Sequence, residues 1–81
     1  MLFVSLLSQK GKGREALKHL MNLKSPPNIT VHGTYLTFGR YDGLIIFEAL
    51  DMKTALLFVM DKEFSTDFTV ETLTALPVDA L

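Results

Sequence analysis

The chain has 81 residues, a formal net charge of −1 and no cysteine. A near-neutral charge without a basic run argues against nucleic acid as a main partner, and the lack of cysteine excludes disulfides and thiolate zinc sites. The apolar run Met1–Leu7 is too short to span a membrane, and no positive residues precede it as in a signal peptide. We therefore expect a cytoplasmic protein without membrane or nucleic-acid partners.

Hydrophobic residues make up 48% of the chain, a large share for its length. A single domain of this size, residues 1–81, buries only about 60% of the surface that its unfolded chain exposes. Small domains with excess apolar surface are commonly stabilised by oligomerisation. The composition therefore predicts one domain that associates with further copies of itself.

The hydrophobic pattern divides the chain into six elements in the order βαββαβ. The predicted segments are Leu2–Leu7, about Gly13–Lys24, Thr30–Phe38, Leu44–Leu50, Met52 to about Glu63, and Phe68–Leu73. Two βα units joined by a hairpin in this order are typical of the ferredoxin-like α+β fold. We expect a four-stranded antiparallel sheet with two helices on one face.

Local signals support both helices. The predicted apolar side of the first helix comprises Ala16, Leu17, Leu20 and Met21. The predicted apolar side of the second helix comprises Met52, Ala55, Leu56, Val59 and Met60. Pro26–Pro27 cannot continue the first helix, and Asp51 is a favourable N-cap for the second.

A glycine- and lysine-rich turn, Lys10–Arg14, precedes the first helix. Its backbone N–H groups and positive charges can hold an anion. Its spacing does not fit a phosphate-binding P-loop, and glycines are also typical of a plain strand-to-helix connection. We favour the plain connection.

The hairpin loop Gly39–Gly43 concentrates polar residues at one end of the predicted sheet. Gly39 and Gly43 allow a positive φ at the loop corners, and Asp42 can accept backbone N–H bonds across the turn. Arg40 offers a planar fork for a carboxylate or phosphate, and Tyr41 offers a stacking face and a hydroxyl. The loop is therefore either a ligand clamp at the mouth of a barrel or a structural turn whose Arg-Tyr pair packs at a subunit contact.

The strand Leu44–Leu50 is apolar on both of its faces. Ile45, Phe47 and Ala49 alternate with Leu44, Ile46 and Leu50. Because right-handed crossovers place both helices on the same side of the sheet, they leave its other face uncovered. An exposed apolar patch of this kind is unusual on a monomer. A second copy packed sheet to sheet, forming a dimeric α+β barrel, is the expected cover; the alternative is a wide core with imperfect alternation.

Two carboxylates lie within predicted strands. A hairpin loop of two or four residues places Tyr35 opposite Ile46 and Gly33 opposite Glu48, on the face that also carries Leu44. Glu48 then points into the inter-subunit barrel. In the last strand Phe68 and Val70 suit the helix side, which leaves Thr69, Glu71 and Leu73 for the barrel. Glu48 and Glu71 either perform acid–base chemistry in a partly closed cavity or form structural ion pairs.

The chain has two histidines, His19 and His32. His19 lies beside the apolar side of the first helix and is expected at the surface. His32 falls on the face opposite Glu48 if the hairpin loop has an even number of residues. A metal site built from His32, Glu48 and Glu71 would need the other parity, so no metal is expected.

The sequence resembles the GYD domain family, most strongly in the segments Thr34–Ala49 and Glu71–Pro77. The residues that give the family its name match Gly39, Tyr41 and Asp42, with Arg40 inserted between the first two. The resemblance covers nearly the whole chain. It implies a ferredoxin-like, dimeric α+β-barrel protein of bacteria or archaea, and because the family has no firmly established activity it implies no reaction.

Two functions fit the residues. In the first, the chain is a non-enzymatic homo-oligomeric module that binds a small organic ligand between subunits or serves in assembly. The candidate ligand residues are Tyr35, Arg40, Tyr41, Glu48 and Glu71, and the structural turn residues are Gly39, Asp42 and Gly43. In the second, a cofactor-free enzyme of the dimeric-barrel type performs proton transfer on a small apolar or aromatic substrate. No nucleophile–base pair, metal set or cofactor motif identifies catalytic residues, so we favour the module.

Overall fold

A computed structural model of the chain describes residues 1–11 and 14–81, apart from the side chains of residues 62 and 63. The strands are β1 (Leu2–Gln9), β2 (Ile29–Leu36), β3 (Gly43–Ala49) and β4 (Phe68–Ala75). The helices are α1 (Glu15–Met21), α2 (Met52–Val59) and α3 (Lys62–Asp67), and a 3₁₀ turn spans Val78–Ala80. The predicted turn Lys10–Arg14 includes Lys12 and Gly13, which lie outside the described residues.

The four strands form one antiparallel sheet in the order β2-β3-β1-β4. β1 lies in the interior of the sheet and pairs with β3 on one side and β4 on the other. The predicted ferredoxin-like α+β architecture is therefore confirmed. Over the described ranges no helix has the length and hydropathy needed to cross a membrane.

The helices are shorter than the sequence predicted. α1 ends at Met21, where Asn22 donates hydrogen bonds from its backbone and side chain to the carbonyl of Lys18. α2 ends at Val59, and the separate helix α3, which the sequence did not predict, follows after a break at residues 60 and 61. One boundary matches the prediction: Asp51 caps α2 by accepting a 2.8 Å hydrogen bond from the backbone N–H of Thr54. This bond lowers the pKa of the Asp51 carboxyl below its ordinary value.

A row of phenylalanines forms the centre of the core, between the inner face of the sheet and the helices. Phe3 stacks on Phe47 at 5.4 Å between ring centroids, and Phe47 meets Phe58 of α2 edge-on at 4.9 Å. The row continues through Phe64 of α3 to Phe68 of β4. These contacts fix α2 and α3 on the side of the sheet that carries the odd-numbered residues of β1.

The orientation of α2 differs from the prediction. Ala55 and Phe58 are buried against the sheet, and Val59 packs at the edge of this core. Met52, Leu56 and Met60, which the sequence assigned to the buried side, are 62%, 56% and 61% exposed. The ring of Phe58 packs against Phe47, so the side of the helix that carries Ala55 and Phe58 faces the sheet. The row of Met52, Leu56 and Met60 remains at the surface.

Candidate functional site on the outer face of the sheet

The side chains of β3 alternate between a buried and a more exposed side of the sheet, as the sequence predicted. Ile45, Phe47 and Ala49 are buried under the helices, and each is at most 4% exposed. Leu44, Ile46 and Glu48 belong to the opposite set, which is partly or fully exposed in a single chain. We call the second side of the sheet the outer face.

Aliphatic side chains of three neighbouring strands form the centre of the outer face. This set, called here the outer apolar patch, is Leu2, Val4, Leu6, Leu44, Ile46 and Leu73. In the strand register Leu6 is paired with Leu44, and Val4 lies between Ile46 and Leu73. Cross-strand pairs of this type put the side chains in direct reach of one another. The helices and the buried side chains of the core lie on the other face, so the patch remains open.

The register of the hairpin differs from the prediction, although the faces do not. Tyr35 pairs with Leu44 and Gly33 with Ile46, because the last pair is Leu36–Gly43 and the loop has six residues, 37–42. Tyr35 and Glu48 still share the outer face. The ring of Tyr35 lies over Gly33, because a Cβ atom at Gly33 would lie 2.7 Å from Cε2 of Tyr35.

A β-bulge in β2 changes the position of His32. Val31 pairs with Phe47 and Gly33 with Ile46, so His32 is an extra residue opposite a regular strand. Its Nε2 lies 2.7 Å from Oε1 of Glu48, and both side chains are about half exposed. The prediction that an even loop places His32 on the face opposite Glu48 is therefore wrong. The loop does have an even number of residues. The extra residue in β2, however, places His32 on the same face as Glu48.

A second polar pair lies at the loop end of the outer face. The hydroxyl of Tyr41 donates a 2.7 Å hydrogen bond to Oε2 of Glu71, and the guanidinium of Arg40 lies 5.7 Å from the centre of the Tyr41 ring. The bond to Glu71 raises the pKa of the Tyr41 phenol above its ordinary value, and desolvation and the carboxylate charge act in the same direction. The protonated phenol is thus favoured over the phenolate, and it is the donor to Glu71.

The five predicted ligand residues form two groups in one chain. Arg40, Tyr41 and Glu71 are at the loop end, where Tyr35 pairs with Leu44. Glu48 lies four residues further along β3, roughly 13 Å from Leu44 at the usual rise of a strand. Across the described residues no three His, Asp or Glu side chains are placed to hold a metal ion.

The loop residue Asp42 ties the hairpin to the neighbouring strand. Its Oδ2 accepts a 2.7 Å hydrogen bond from the N–H of Gln9, and its own N–H donates to the carbonyl of Leu7 at 2.8 Å. The prediction was that the carboxylate accepts hydrogen bonds from N–H groups of its own turn. It instead accepts a hydrogen bond from the backbone of β1. Thr37, which the sequence reasoning missed, closes the turn itself, with its hydroxyl donating to the carbonyl of Tyr41 at 2.7 Å.

The two loop glycines have different roles. Gly39 has a φ of 158°, near the extended region. Gly43 has no positive φ, contrary to the prediction; a Cβ atom there would lie 3.1 Å from Cδ2 of Leu20 and 3.4 Å from Cδ1 of Leu7. The absence of a side chain at Gly43 therefore allows α1 to approach the start of β3.

The other histidine has a partner on the helix side. The Nδ1 atom of His19 is hydrogen-bonded to Oδ2 of Asp67. The pair links α1 to the end of α3, far from the outer face. His19 is exposed, as expected, and its contact is structural.

No family model matches the chain, and no curated protein matches it. Two solved structures are similar to it. One is the crystal structure of FFRP-DM1, with a TM-score of 0.61 and 23% sequence identity over 93% of this chain and 96% of that one. The other is a hypothetical protein, PHS023 from Pyrococcus horikoshii, with a TM-score of 0.63 and 23% identity over 95% of this chain and 92% of that one. At this identity the likeness establishes a shared fold.

Proposed function

We propose that the chain is a self-associating module in which two copies cover each other's outer faces and hold a small organic ligand between them. The observation that carries the proposal is the outer apolar patch, which lies on the side of the sheet away from the helices. Aliphatic surface on three adjacent strands is more than a small monomer usually exposes. The resemblance of Gly39, Tyr41 and Asp42 to the GYD domain family supports the same assembly.

The distribution of polar groups fits an interface. The aliphatic side chains of the patch occupy the middle of the sheet, while the His32–Glu48 and Tyr41–Glu71 pairs lie toward its ends. An apolar centre with a polar rim is the usual arrangement of protein interfaces. In each pair the carboxylate already accepts a hydrogen bond from its partner. When the patch is covered, neither carboxylate is therefore left without a hydrogen bond.

The proposed ligand site is the loop end of the space between the two sheets. Arg40 supplies a cation there, Tyr35 and Tyr41 supply aromatic surface, and Glu71 lies within reach of Tyr41. Glu48 belongs to the opposite end and would contribute only to a ligand that extends across the patch. A compound with an apolar body and a carboxylate or phenol suits these groups, since Arg binds the acid and the strands bind the body.

The assembly is tested by Ile46→Lys. Ile46 is partly exposed, so a lysine there is tolerated by a single chain but places a charge in the centre of the proposed interface. We expect the wild type to have the mass of at least a dimer by light scattering, and the variant to be monomeric. Leu57→Lys, at a 63% exposed position on the helix side, introduces the same charge away from the interface and should retain the wild-type mass. A monomeric wild type across micromolar concentrations would refute the assembly.

The ligand is tested by native mass spectrometry of gently purified protein. A retained compound should add its mass to the dimer, and Arg40→Ala should weaken its binding. Lys18→Ala, which removes the same charge from an exposed position on α1, is the control and should leave binding unchanged. A dimer that carries no compound, and that binds no added aromatic or aliphatic carboxylate, leaves assembly as the function and removes ligand binding from the proposal.

One observation favours the enzymatic alternative. A histidine hydrogen-bonded to a carboxylate, as in the His32–Glu48 pair, is the arrangement of a general base with its orienting group. An enzyme would convert the retained compound during incubation, and His32→Gln would abolish the conversion without dissociating the dimer. Release of the unchanged compound would exclude this alternative.

A further inference from the structure

A groove on the helix side of the molecule has no role in the outer-face dimer. It has a volume of about 700 Å³ and lies between α2 and β4. Its floor includes the buried rings of Phe3 and Phe68. One wall carries Met52 and Leu56 of α2 and Met60 directly after it, which follow one another at intervals of four residues and are all more than half exposed. The groove therefore offers a continuous apolar wall, and methionine side chains adapt readily to a partner.

The opposite wall of the groove is the edge of the sheet. β4 is the last strand in the sheet order and pairs with β1 on one side. Phe68, Thr69, Val70, Thr72 and Thr74 of this strand line the groove. An edge strand beside an apolar groove is the arrangement that binds extended peptide segments, because the strand supplies backbone hydrogen bonds and the groove accepts alternate side chains.

The chain itself contains a segment of matching character. Leu76, Val78 and Leu81 follow β4 and are 64%, 85% and 93% exposed, so they do not occupy the groove of their own chain. Residues 78–80 form a single 3₁₀ turn, which is a marginal structure that opens readily. The segment 76–81, called here the tail, is thus an accessible apolar peptide.

We infer that the tail of one copy docks in the α2–β4 groove of a second copy. The lengths agree, since the extended segment from Leu76 to Leu81 and the six residues of β4 from Thr69 to Thr74 each span about 17 Å. The charges agree as well: Lys10 and Lys53 line the groove, and the tail carries Asp79. Pro77 lacks an N–H group, so backbone hydrogen bonds to β4 come from the other residues of the tail. Leu76, Val78 and Leu81 provide the apolar contact with the groove.

Tail docking and the outer-face dimer use different sides of the sheet and are independent. The groove lies on the side of the helices, whereas the outer apolar patch lies on the side of Leu44 and Ile46. Both contacts can therefore form at once, and a tail that reaches from one copy to another links dimers into larger rings or chains. A tail–groove contact would persist even in a chain whose outer face does not associate.

Two surface variants test the contact by complementation. Leu56→Lys interrupts the apolar wall of the groove with a hydrated charge and leaves the tail intact. Val78→Lys places a positive charge of the tail against the groove lysines and leaves the groove intact. Both positions are more than half exposed, so both variants should fold. We expect each variant alone to lose the assemblies larger than the dimer, with tail–groove affinity at least about tenfold weaker. An equimolar mixture restores one contact, between the tail of Leu56→Lys and the groove of Val78→Lys.

The mixture can be followed by nuclear magnetic resonance. With Val78→Lys labelled with nitrogen-15, addition of Leu56→Lys should shift the amides of Thr69, Thr72 and Thr74; with the labels exchanged, those amides should not shift. Leu57→Lys is the matched control, since it adds the same charge to the same helix outside the groove and should assemble as the wild type does.

Specific outcomes overturn the inference. Equal masses for the wild type and both variants, with no shifts in the mixture, would refute the contact. Loss of assembly in Leu56→Lys but not in Val78→Lys would show that something other than the tail fills the groove. Ile46→Lys separates this inference from the outer-face dimer, because it removes the dimer and should leave the shifts caused by the tail.

Discussion

The imidazole of His32 lies 2.7 Å from the carboxylate of Glu48 because one extra residue in β2 turns the histidine onto the outer face. Val31 and Gly33 are paired with consecutive residues of β3, so the strand on either side of the bulge keeps its regular alternation. His32 is thus an insertion in the structural sense, and its removal should leave every other side chain on its present face.

Deletion of His32 should therefore be tolerated. The variant loses the exposed hydrogen bond between His32 and Glu48 and a bulge, and we expect the free energy of unfolding to change by less than about 1 kcal/mol. Deletion of Thr30 on the same strand is the control. It moves Ile29, which is 6% exposed, opposite Glu48 on the outer face and should cost about 2 kcal/mol or more. Urea unfolding of both variants measures the difference, and equal losses would contradict the bulge assignment.

Asp42 should matter more for stability than its neighbour Arg40. Asp42→Ala removes the acceptor of the Gln9 N–H and should cost about 1 kcal/mol. Arg40→Ala removes an exposed side chain stacked near Tyr41 and should change stability by no more than about 0.5 kcal/mol. Thermal melts at low concentration compare the two, and equal shifts would show that the carboxylate contributes nothing to the junction between the loop and β1.

The buried hydroxyl of Ser5 should make Thr72 unexpectedly sensitive to substitution. Ser5 is 0% exposed, and its Oγ lies 2.8 Å from Oγ1 of Thr72. Thr72→Val leaves a buried hydroxyl without this partner and should cost about 1–3 kcal/mol. The double variant Ser5→Ala/Thr72→Val should recover much of that loss, and Thr74→Val, on the same strand and face, should be nearly neutral. Urea unfolding measures the stability of Thr72→Val, Ser5→Ala and the double variant. If the losses of the two single variants add up to that of the double variant, the hydroxyls do not interact.

The Tyr41–Glu71 pair should be visible in an alkaline titration. The hydrogen bond to Glu71 raises the pKa of Tyr41, so the phenol is favoured in the folded chain. Its contribution to stability is present below the ordinary pKa of a tyrosine and is lost as the pH rises through the folded value. Glu71→Gln should lower the pKa, measured by the ultraviolet absorbance of the phenolate, and Tyr41→Phe identifies the transition. An unchanged pKa in Glu71→Gln would show that the bond does not form in solution.

The order of the four strands and of α1 and α2 could be predicted because each of these elements carries its own hydrophobic pattern. The alternation of Ile45, Phe47 and Ala49 with Leu44 and Ile46 was enough to assign both faces of β3. The same pattern in β4 placed Glu71 and Leu73 on the outer face, and their pairing with Leu6 and Val4 confirms it.

The polar contacts of the outer face could not be predicted in the same way. Periodicity counts residues, and a bulge changes the count without any signal in the composition of Val31, His32 and Gly33. Loop length had the same effect on the register of Tyr35, because nothing in residues 37–42 distinguishes a six-residue loop from a shorter one. Among the described side chains of the missed helix α3, Phe64 is the large one that is buried, which is too little to give a helical stripe.

The central position of β1 also shapes the route by which the chain folds. Leu2 is paired with Glu48 on one side and with Ala75 on the other, so the first strand to leave the ribosome must wait for partners made much later. Contacts between distant parts of a chain form slowly, because a long loop has to close before they stabilise anything. During synthesis one edge of β1 can pair once β3 has been made, whereas the other stays open until β4, the last strand of the sheet, has emerged.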